Sequence, residues 1–125
     1  GKIGISDNII LKESELNTIE RKAIEKHSEI GYRIANTSNE LSKVAKSILH
    51  HHEWWNGEGY PYKLKGKKIP INSRIVSIVD AYDAMTNDRP YRKAWKKDRA
   101  ISELIRCSDS QFDPMLTKNF LDICC

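Results

Sequence analysis

The stretch that begins at Pro70, PINSRIVSIVDAYDAMTNDRP, predicts one long apolar helix and decides the fold class. Proline suits the first turn of a helix, because the N–H that it lacks would have no partner there. The residue before Pro90 is disfavoured in helical geometry, so the helix ends near Asn87. The apolar residues at helical spacing are Ile71, Ile75, Ile78, Val79, Tyr82 and Met85.

The rest of the chain also predicts helices joined by loops, and no segment alternates as a strand does. Two glycines and a proline within 56–61 indicate a loop. We therefore expect an all-α fold of about five to six helices in a single domain, 1–125. The other expected helices run from Asn17-Thr18 to about His27, from a Ser28 cap to about Asn36, from Glu40 to about His52, from Lys97 to about Cys107, and from an Asp113 cap to about Cys124.

Composition narrows the classes of protein. The 125 residues, 39% hydrophobic and 30% charged, suffice for one globular domain, and no apolar run is long enough to cross a membrane. Three cysteines without a C-x-x-C spacing support neither a disulfide framework nor a zinc knuckle, so a reducing, cytoplasmic setting is expected. The basic run 63–68 suits an anionic ligand, a nucleic acid or a membrane surface, but a solvated loop is favoured, so no DNA or membrane partner is predicted.

Three adjacent histidines end the predicted third helix. Its apolar stripe, expected to be buried, continues onto His51 and His52, whereas His50 falls nearer the other side. Two imidazoles on one face are typical metal ligands, and a pair of hydrogen-bonded core histidines is the alternative. The stripe consists of Leu41, Val44, Ile48 and Leu49.

Two more residues are candidates for the same chemistry. Asp80 lies amid the apolar residues of the long helix, where a carboxylate needs a cation, a cap or a salt bridge. His27 stands at a predicted helix junction, where it either points into a cleft or meets helix carbonyls as a cation. The chain has no helical zinc-protease pair, no glycine-rich phosphate loop and no cysteine near the histidines, so metal-assisted phosphoester hydrolysis is the chemistry that fits.

Several motifs in order resemble the HD-GYP family, cyclic di-GMP phosphodiesterases of the HD superfamily of metal-dependent phosphohydrolases. The similarity covers essentially the whole chain. It is carried by Gly1-Lys2-Ile3-Gly4, Glu25-Lys26-His27, Ile30-Gly31-Tyr32, His51-His52-Glu53, Asn56-Gly57-Glu58-Gly59-Tyr60-Pro61, Asp80-Ala81-Tyr82-Asp83-Ala84-Met85-Thr86, Asp88-Arg89-Pro90-Tyr91-Arg92 and Gln111-Phe112-Asp113-Pro114.

The resemblance implies a helical domain with a cluster of iron or manganese ions, and it assigns roles by position. The implied metal ligands are His27, His51, His52 and Asp80. Lys2 resembles the lysine that contacts the scissile phosphate. Gly59, Tyr60 and Pro61 resemble the motif that lines the substrate cleft, and Arg89 and Arg92 resemble residues that hold the guanylate phosphates through bidentate guanidinium contacts.

The chain departs from the family pattern at its start. In the family a His-Asp dyad precedes the segment that corresponds to Gly1-Lys2, so we expect an N-terminally truncated domain from a longer chain, with an incomplete metal site and impaired catalysis. The implied activity is hydrolysis of cyclic di-GMP to pGpG and on to GMP. The alternative is a non-catalytic module that binds cyclic di-GMP or docks a diguanylate cyclase or regulatory domain. Oligomeric state is not predicted.

Overall fold

A computed structural model describes residues 14–124, and within them the chain is helical. Two isolated β-bridges occur, and no strand forms in this part of the chain. The all-α prediction is confirmed. The α-helices are α1 (Thr18–Glu25), α2 (His27–Ala35), α3 (Ala45–Leu49), α4 (Ile71–Thr86), α5 (Lys97–Cys107) and α6 (Pro114–Cys124), with short 3₁₀ helices at Leu41–Val44 and Gly66–Lys68. None of the described helices is long and apolar enough to span a membrane.

The main apolar core lies between α4, α5 and α6. Ile78 of α4 and Leu104 of α5 are almost fully buried. A hydrogen bond from Trp95 N to Met85 O, 2.7 Å long, brings the chain after α4 back to this core. Truncation of a buried isoleucine or leucine to alanine costs about 2 to 5 kcal/mol, so this core accounts for much of the stability. Its buried members are Ile78, Met85, Ala100, Leu104, Cys107 and Phe112.

A second helical group consists of α1, α2 and α3. A Cβ at Gly31 of α2 would lie 2.9 Å from the Ile48 side chain of α3, so these helices pack at close range. Ser73 of α4 donates its hydroxyl to the Ser47 carbonyl at 2.9 Å and so joins α3 to α4. This contact places α3 beside the first turn of α4.

Asp113 connects α6 to α4. Its Oδ1 accepts the Met115 and Leu116 N–H groups at 2.9 and 3.3 Å, so its predicted role as the N-cap of α6 is confirmed. Its Oδ2 accepts from Arg74 of α4 at 2.7 Å, and both side chains are largely buried. The segment before α6 is thereby anchored to the helix that carries Asp80.

The predicted Ser28 cap is wrong. Helix α2 begins at His27, and the Ser28 hydroxyl instead donates to Glu25 O at 3.2 Å. An N-cap residue needs extended backbone geometry, whereas Lys26, between α1 and α2, keeps helical angles. The chain therefore passes from α1 to α2 without leaving helical conformation. The predicted start of α1 is correct, because Asn17 caps it through a capping box with Glu20.

The predicted third helix is also wrong in form. It begins as a 3₁₀ turn and continues as α3, which ends at Leu49, so the three histidines lie in the turn beyond it. A 3₁₀ helix turns about 120° per residue against 100° in an α-helix, which rotates the expected stripe by about 80° over four residues. Leu41 and Val44 are therefore exposed, whereas Ala45 and Leu49 are buried. His50, expected on the other side, is buried as well.

Candidate metal centre

Three histidine side chains converge between the two helical groups. His27 is the first residue of α2, and His51 and His52 lie in the turn after α3. One ring nitrogen from each lies within 4.8 Å of those of the other two. His27 is buried and the other two are half-buried, so the cluster faces a protected but accessible space. The resemblance implied all three as metal ligands together with Asp80, and the short link between α1 and α2 brings His27 to the other two histidines.

Hydrogen bonds orient two of the three rings. Nδ1 of His27 contacts Ile24 O at 2.5 Å, and Nδ1 of His51 contacts Ile48 O at 2.5 Å. A carbonyl oxygen only accepts, so each Nδ1 must carry the proton. With Nδ1 directed at a carbonyl, Nε2 is the nitrogen left to ligate a metal ion, as in metal-ligating histidines held by a backbone carbonyl. Three imidazoles suit zinc, iron, copper or nickel, so the donor set fits a transition-metal ion.

The loop that carries Gly59 and Tyr60 lies directly against the histidine turn. Tyr60 N donates to His52 O at 3.1 Å, and the Tyr60 ring stacks on the His52 ring at 5.0 Å between centroids. Burial, followed by the negative charges of Glu25 and Asp80, raises the pKa of Tyr60 far above its usual value. The phenol therefore stays protonated and is able to donate a hydrogen bond.

Gly59 must be a glycine, because the surrounding backbone leaves no room for a side chain. A Cβ at Gly59 would lie 2.3 Å from Trp54 N, 2.4 Å from His52 O and 2.7 Å from the Glu53 carbonyl carbon. All three are backbone atoms, so no side-chain rotation relieves the clash. The absence of a side chain at Gly59 allows Tyr60 to reach His52, and Pro61 follows half-buried beside them.

Sequence reasoning missed Glu53, which is buried next to the metal candidates. Its carboxylate accepts from Tyr62 N at 2.8 Å and from Leu64 N at 3.0 Å, and His50 Nδ1 lies 3.3 Å away. An acidic residue in a turn gives no signal of burial by itself. The sequence signal was its position directly after two candidate ligands.

Asp80 lies on the wall of the hollow that His51 and His52 also line. The hollow has a volume of about 130 Å³, and Ser77 and Gln111 contribute to its lining. Asp80 is exposed, so the expectation that apolar surroundings would force it to find a partner is wrong. The outward position follows from the phase of α4, which turns Ile78 into the core. Its carboxylate lies outside the set of ligand atoms within 4.8 Å of one another, and it faces the same space.

The two arginines lie at the far end of α4. Arg92 donates to Ala84 O at 2.6 Å and to Lys93 O at 3.1 Å, so its guanidinium caps carbonyls at the end of the helix. Arg89 has one contact of 3.5 Å with the exposed carboxylate of Asp83. Neither arginine lines the hollow, although Ala84, which Arg92 contacts, does. Lys2 lies outside the described residues.

Comparison with known proteins points to one family. A sequence model of the HD domain family matches residues 1–116. The chain is 39% identical over 125 residues to a cyclic di-GMP phosphodiesterase of Thermotoga maritima, covering 98% of this chain and 34% of that protein. It is 40% identical over 116 residues to the cyclic di-GMP phosphodiesterase response regulator RpfG of Xanthomonas campestris, covering 91% and 31%.

Other relatives carry a different substrate in their names. The chain is 39% identical over 124 residues to the 3'3'-cGAMP-specific phosphodiesterase 2 of Vibrio cholerae, covering 98% of this chain and 24% of that protein. The crystal structure of a cyclic GMP-AMP specific phosphodiesterase of Vibrio cholerae matches with a TM-score of 0.58 at 23% identity, over 82% of this chain and 24% of that one, and supports the fold alone. The chain spans about a third or less of these curated relatives.

Proposed function

The chain belongs to the HD domain family and to its HD-GYP branch, and from this premise we propose that it forms the metal-binding part of a phosphodiesterase that hydrolyses cyclic di-GMP. The observation that carries the proposal is the convergence of three histidines with Asp80 on the adjoining wall. The relatives are named for two cyclic dinucleotides, so cyclic di-GMP is the specific part of the proposal and a cyclic dinucleotide is its class.

We assign His27, His51, His52 and Asp80 as ligands of iron or manganese. Three imidazoles and one carboxylate supply nitrogen and oxygen donors of the kind these ions bind. A divalent ion at such a site polarises a phosphoryl oxygen and lowers the pKa of a water molecule. The protein's own part is to hold the rings in one tautomer, through the carbonyls of Ile24 and Ile48.

Substrate contacts are assigned to residues around the cluster. Gly59, Tyr60 and Pro61 are assigned to substrate contact because Tyr60 stacks on His52, and the Tyr60 hydroxyl would donate to an anionic group of the substrate. Arg89 and Arg92 supply positive charge for the phosphates, and Lys2 is assigned to the scissile phosphate. Arg89 has the weaker intramolecular contact, so we expect it to contribute more to binding than Arg92.

The setting of the protein is part of the same proposal. The two cysteines that the structure describes, Cys107 and Cys124, are free, which suits a reducing cytoplasm. Cyclic di-GMP is the proposed ligand, to be hydrolysed to pGpG and on to GMP. A diguanylate cyclase or a regulatory domain is the proposed protein partner.

Metal content and turnover test the proposal together. The protein that contains this chain is purified, loaded with manganese or ferrous iron and incubated with cyclic di-GMP, and the products are separated by chromatography. We expect His52→Ala and Asp80→Asn each to lower bound metal and turnover at least tenfold. Asp122→Asn is the control, because this carboxylate is exposed on α6 in the other helical group.

Three outcomes are informative. Loss of metal and of turnover in the two site variants alone supports the assignment. Binding of cyclic di-GMP without turnover in the wild type supports the non-catalytic module in place of the enzyme. Metal content that His52→Ala leaves unchanged contradicts the ligand assignment.

A further inference from the structure

The carboxylate of Glu53 is buried beside the histidine cluster and belongs to none of the assigned ligands. Its side chain has no solvent exposure, and burying an ionised carboxylate is costly unless donors surround it. Two backbone N–H groups and one imidazole supply them. All three donors belong to the histidine turn or to the loop that follows Tyr60, so the contacts hold these two segments together.

The contacts of Glu53 connect the turn that carries His52 to the loop that follows Tyr60. Glu53 directly follows His52, and its acceptor oxygens hold the N–H groups of Tyr62 and Leu64, nine and eleven residues later. Tyr60 lies at the start of the same loop and is bonded through its own N–H to His52 O. The loop is thus fastened on both sides of Pro61, with the Tyr60 ring against one face of the His52 ring.

We propose that Glu53 is a positioning residue that sets the metal affinity of the cluster, by holding the Tyr60 loop so that Tyr60 fixes the orientation of the His52 ring. Glu53 touches neither metal nor substrate in this role. Tyr60 contacts His52 in two ways, through the bond from Tyr60 N to His52 O and through the stack of the two rings. The inference rests on the proposed metal site and adds to it a residue outside the ligand set.

Cobalt binding tests the role without any need for turnover. Cobalt(II) replaces the native ion as the probe, and its visible absorption is titrated in the protein that contains this chain. The variant is Glu53→Gln, which keeps the shape of the side chain but presents an amide donor to one of the two N–H groups. We expect cobalt affinity to fall by about 10- to 100-fold, the range for residues that orient metal ligands.

Asp113→Asn is the matched control. Asp113 is also a buried carboxylate that accepts two backbone N–H groups and one cationic side chain, but it caps α6 in the other helical group. Affinities are corrected for the folded fraction, measured by far-UV circular dichroism at the same temperature. We expect this control to lower the melting temperature while changing cobalt affinity less than twofold.

A second variant tests the route through Tyr60. Tyr60→Ala alone is expected to weaken cobalt binding, and adding Glu53→Gln to it is expected to change the affinity by less than threefold, because the two substitutions act through one contact. Full additivity of the two effects contradicts the proposed route.

The remaining outcomes separate this inference from the proposed function. Wild-type protein that binds no cobalt overturns both. Wild-type binding that Glu53→Gln leaves unchanged, or that Asp113→Asn weakens equally, overturns the positioning role alone. A Glu53→Gln protein that does not fold at 10 °C, when Asp113→Asn does, also overturns it, because the carboxylate is then purely structural.

Discussion

Substitution of Gly59 by alanine is the most direct test of how the Tyr60 loop is held. The added Cβ would meet three backbone atoms at 2.3 to 2.7 Å, well inside van der Waals contact. Because these atoms belong to the histidine turn, either the loop or the turn must move. Gly59 does not have a positive φ, so the expected effect is steric.

The magnitude follows from the contacts. Overpacking of a rigid site costs about 1 to 3 kcal/mol, and a clash with backbone alone places Gly59→Ala at the upper end, near 3 kcal/mol. That is about a hundredfold change in the folding equilibrium. With a urea m-value of about 1 to 3 kcal/mol/M, the unfolding midpoint should fall by about 1 to 3 M. The affinity for cobalt should fall as well, because the displaced loop separates the Tyr60 ring from the His52 ring.

Two other glycines give matched controls in urea unfolding. A Cβ at Gly31 would meet Cγ2 of Ile48 at 2.9 Å, a single side-chain contact that a small shift of the two helices relieves, so Gly31→Ala should cost about 1 kcal/mol, less than Gly59→Ala. Gly66 has a φ of 61° with open space around it, so Gly66→Ala should cost about 1 kcal/mol in backbone strain alone. A Gly59→Ala midpoint no lower than that of Gly66→Ala refutes the steric argument.

Two further predictions concern ligand binding and thiol chemistry. Arg89→Ala should weaken calorimetric binding of cyclic di-GMP tenfold or more, about 1.4 kcal/mol, while Lys118→Ala on the exposed face of α6 leaves it unchanged; equal affinities would contradict the assignment. Burial raises the pKa of the Cys107 thiol, so less thiolate is present at pH 8, and iodoacetamide should label it more slowly than the exposed Cys124, with the Cys107 rate rising as pH is raised. Equal labelling rates in peptide mass mapping would count against this burial.

Helix boundaries were predictable where short-range chemistry sets them. Pro70 directly precedes α4, and Asp113 caps α6 through groups within a few residues, so sequence spacing alone locates the two starts. The 3₁₀ turn at Leu41–Val44 was not predicted, because the helical spacing of its apolar residues does not distinguish a 3₁₀ turn from an α-helix. The change in residues per turn displaced the expectation for Leu41 and Val44, which are exposed, whereas Leu49 is buried as expected.

Some residues of the candidate site were likewise predictable from the sequence, and others were not. The histidines were found from spacing and resemblance, because their chemistry is in the residue type. Glu53 was not found, because its partners are backbone N–H groups nine and eleven residues away, and the residue types in a sequence do not show which backbone groups will meet a carboxylate. The exposure of Asp80 was also missed, since it depends on which face of α4 meets α5 and α6.

The placement of the site between the two helical groups has a consequence for local motion. His27, His51 and His52 belong to the group α1–α3, whereas Asp80 belongs to α4, whose core with α5 and α6 is separate. Opening of the contact between α3 and α4 would separate the proposed ligands while that core stays packed. An ion bound by residues on both sides would act as a reversible crosslink between the two helices. By linkage, it would slow amide hydrogen exchange in α3 by the factor by which it favours the closed form.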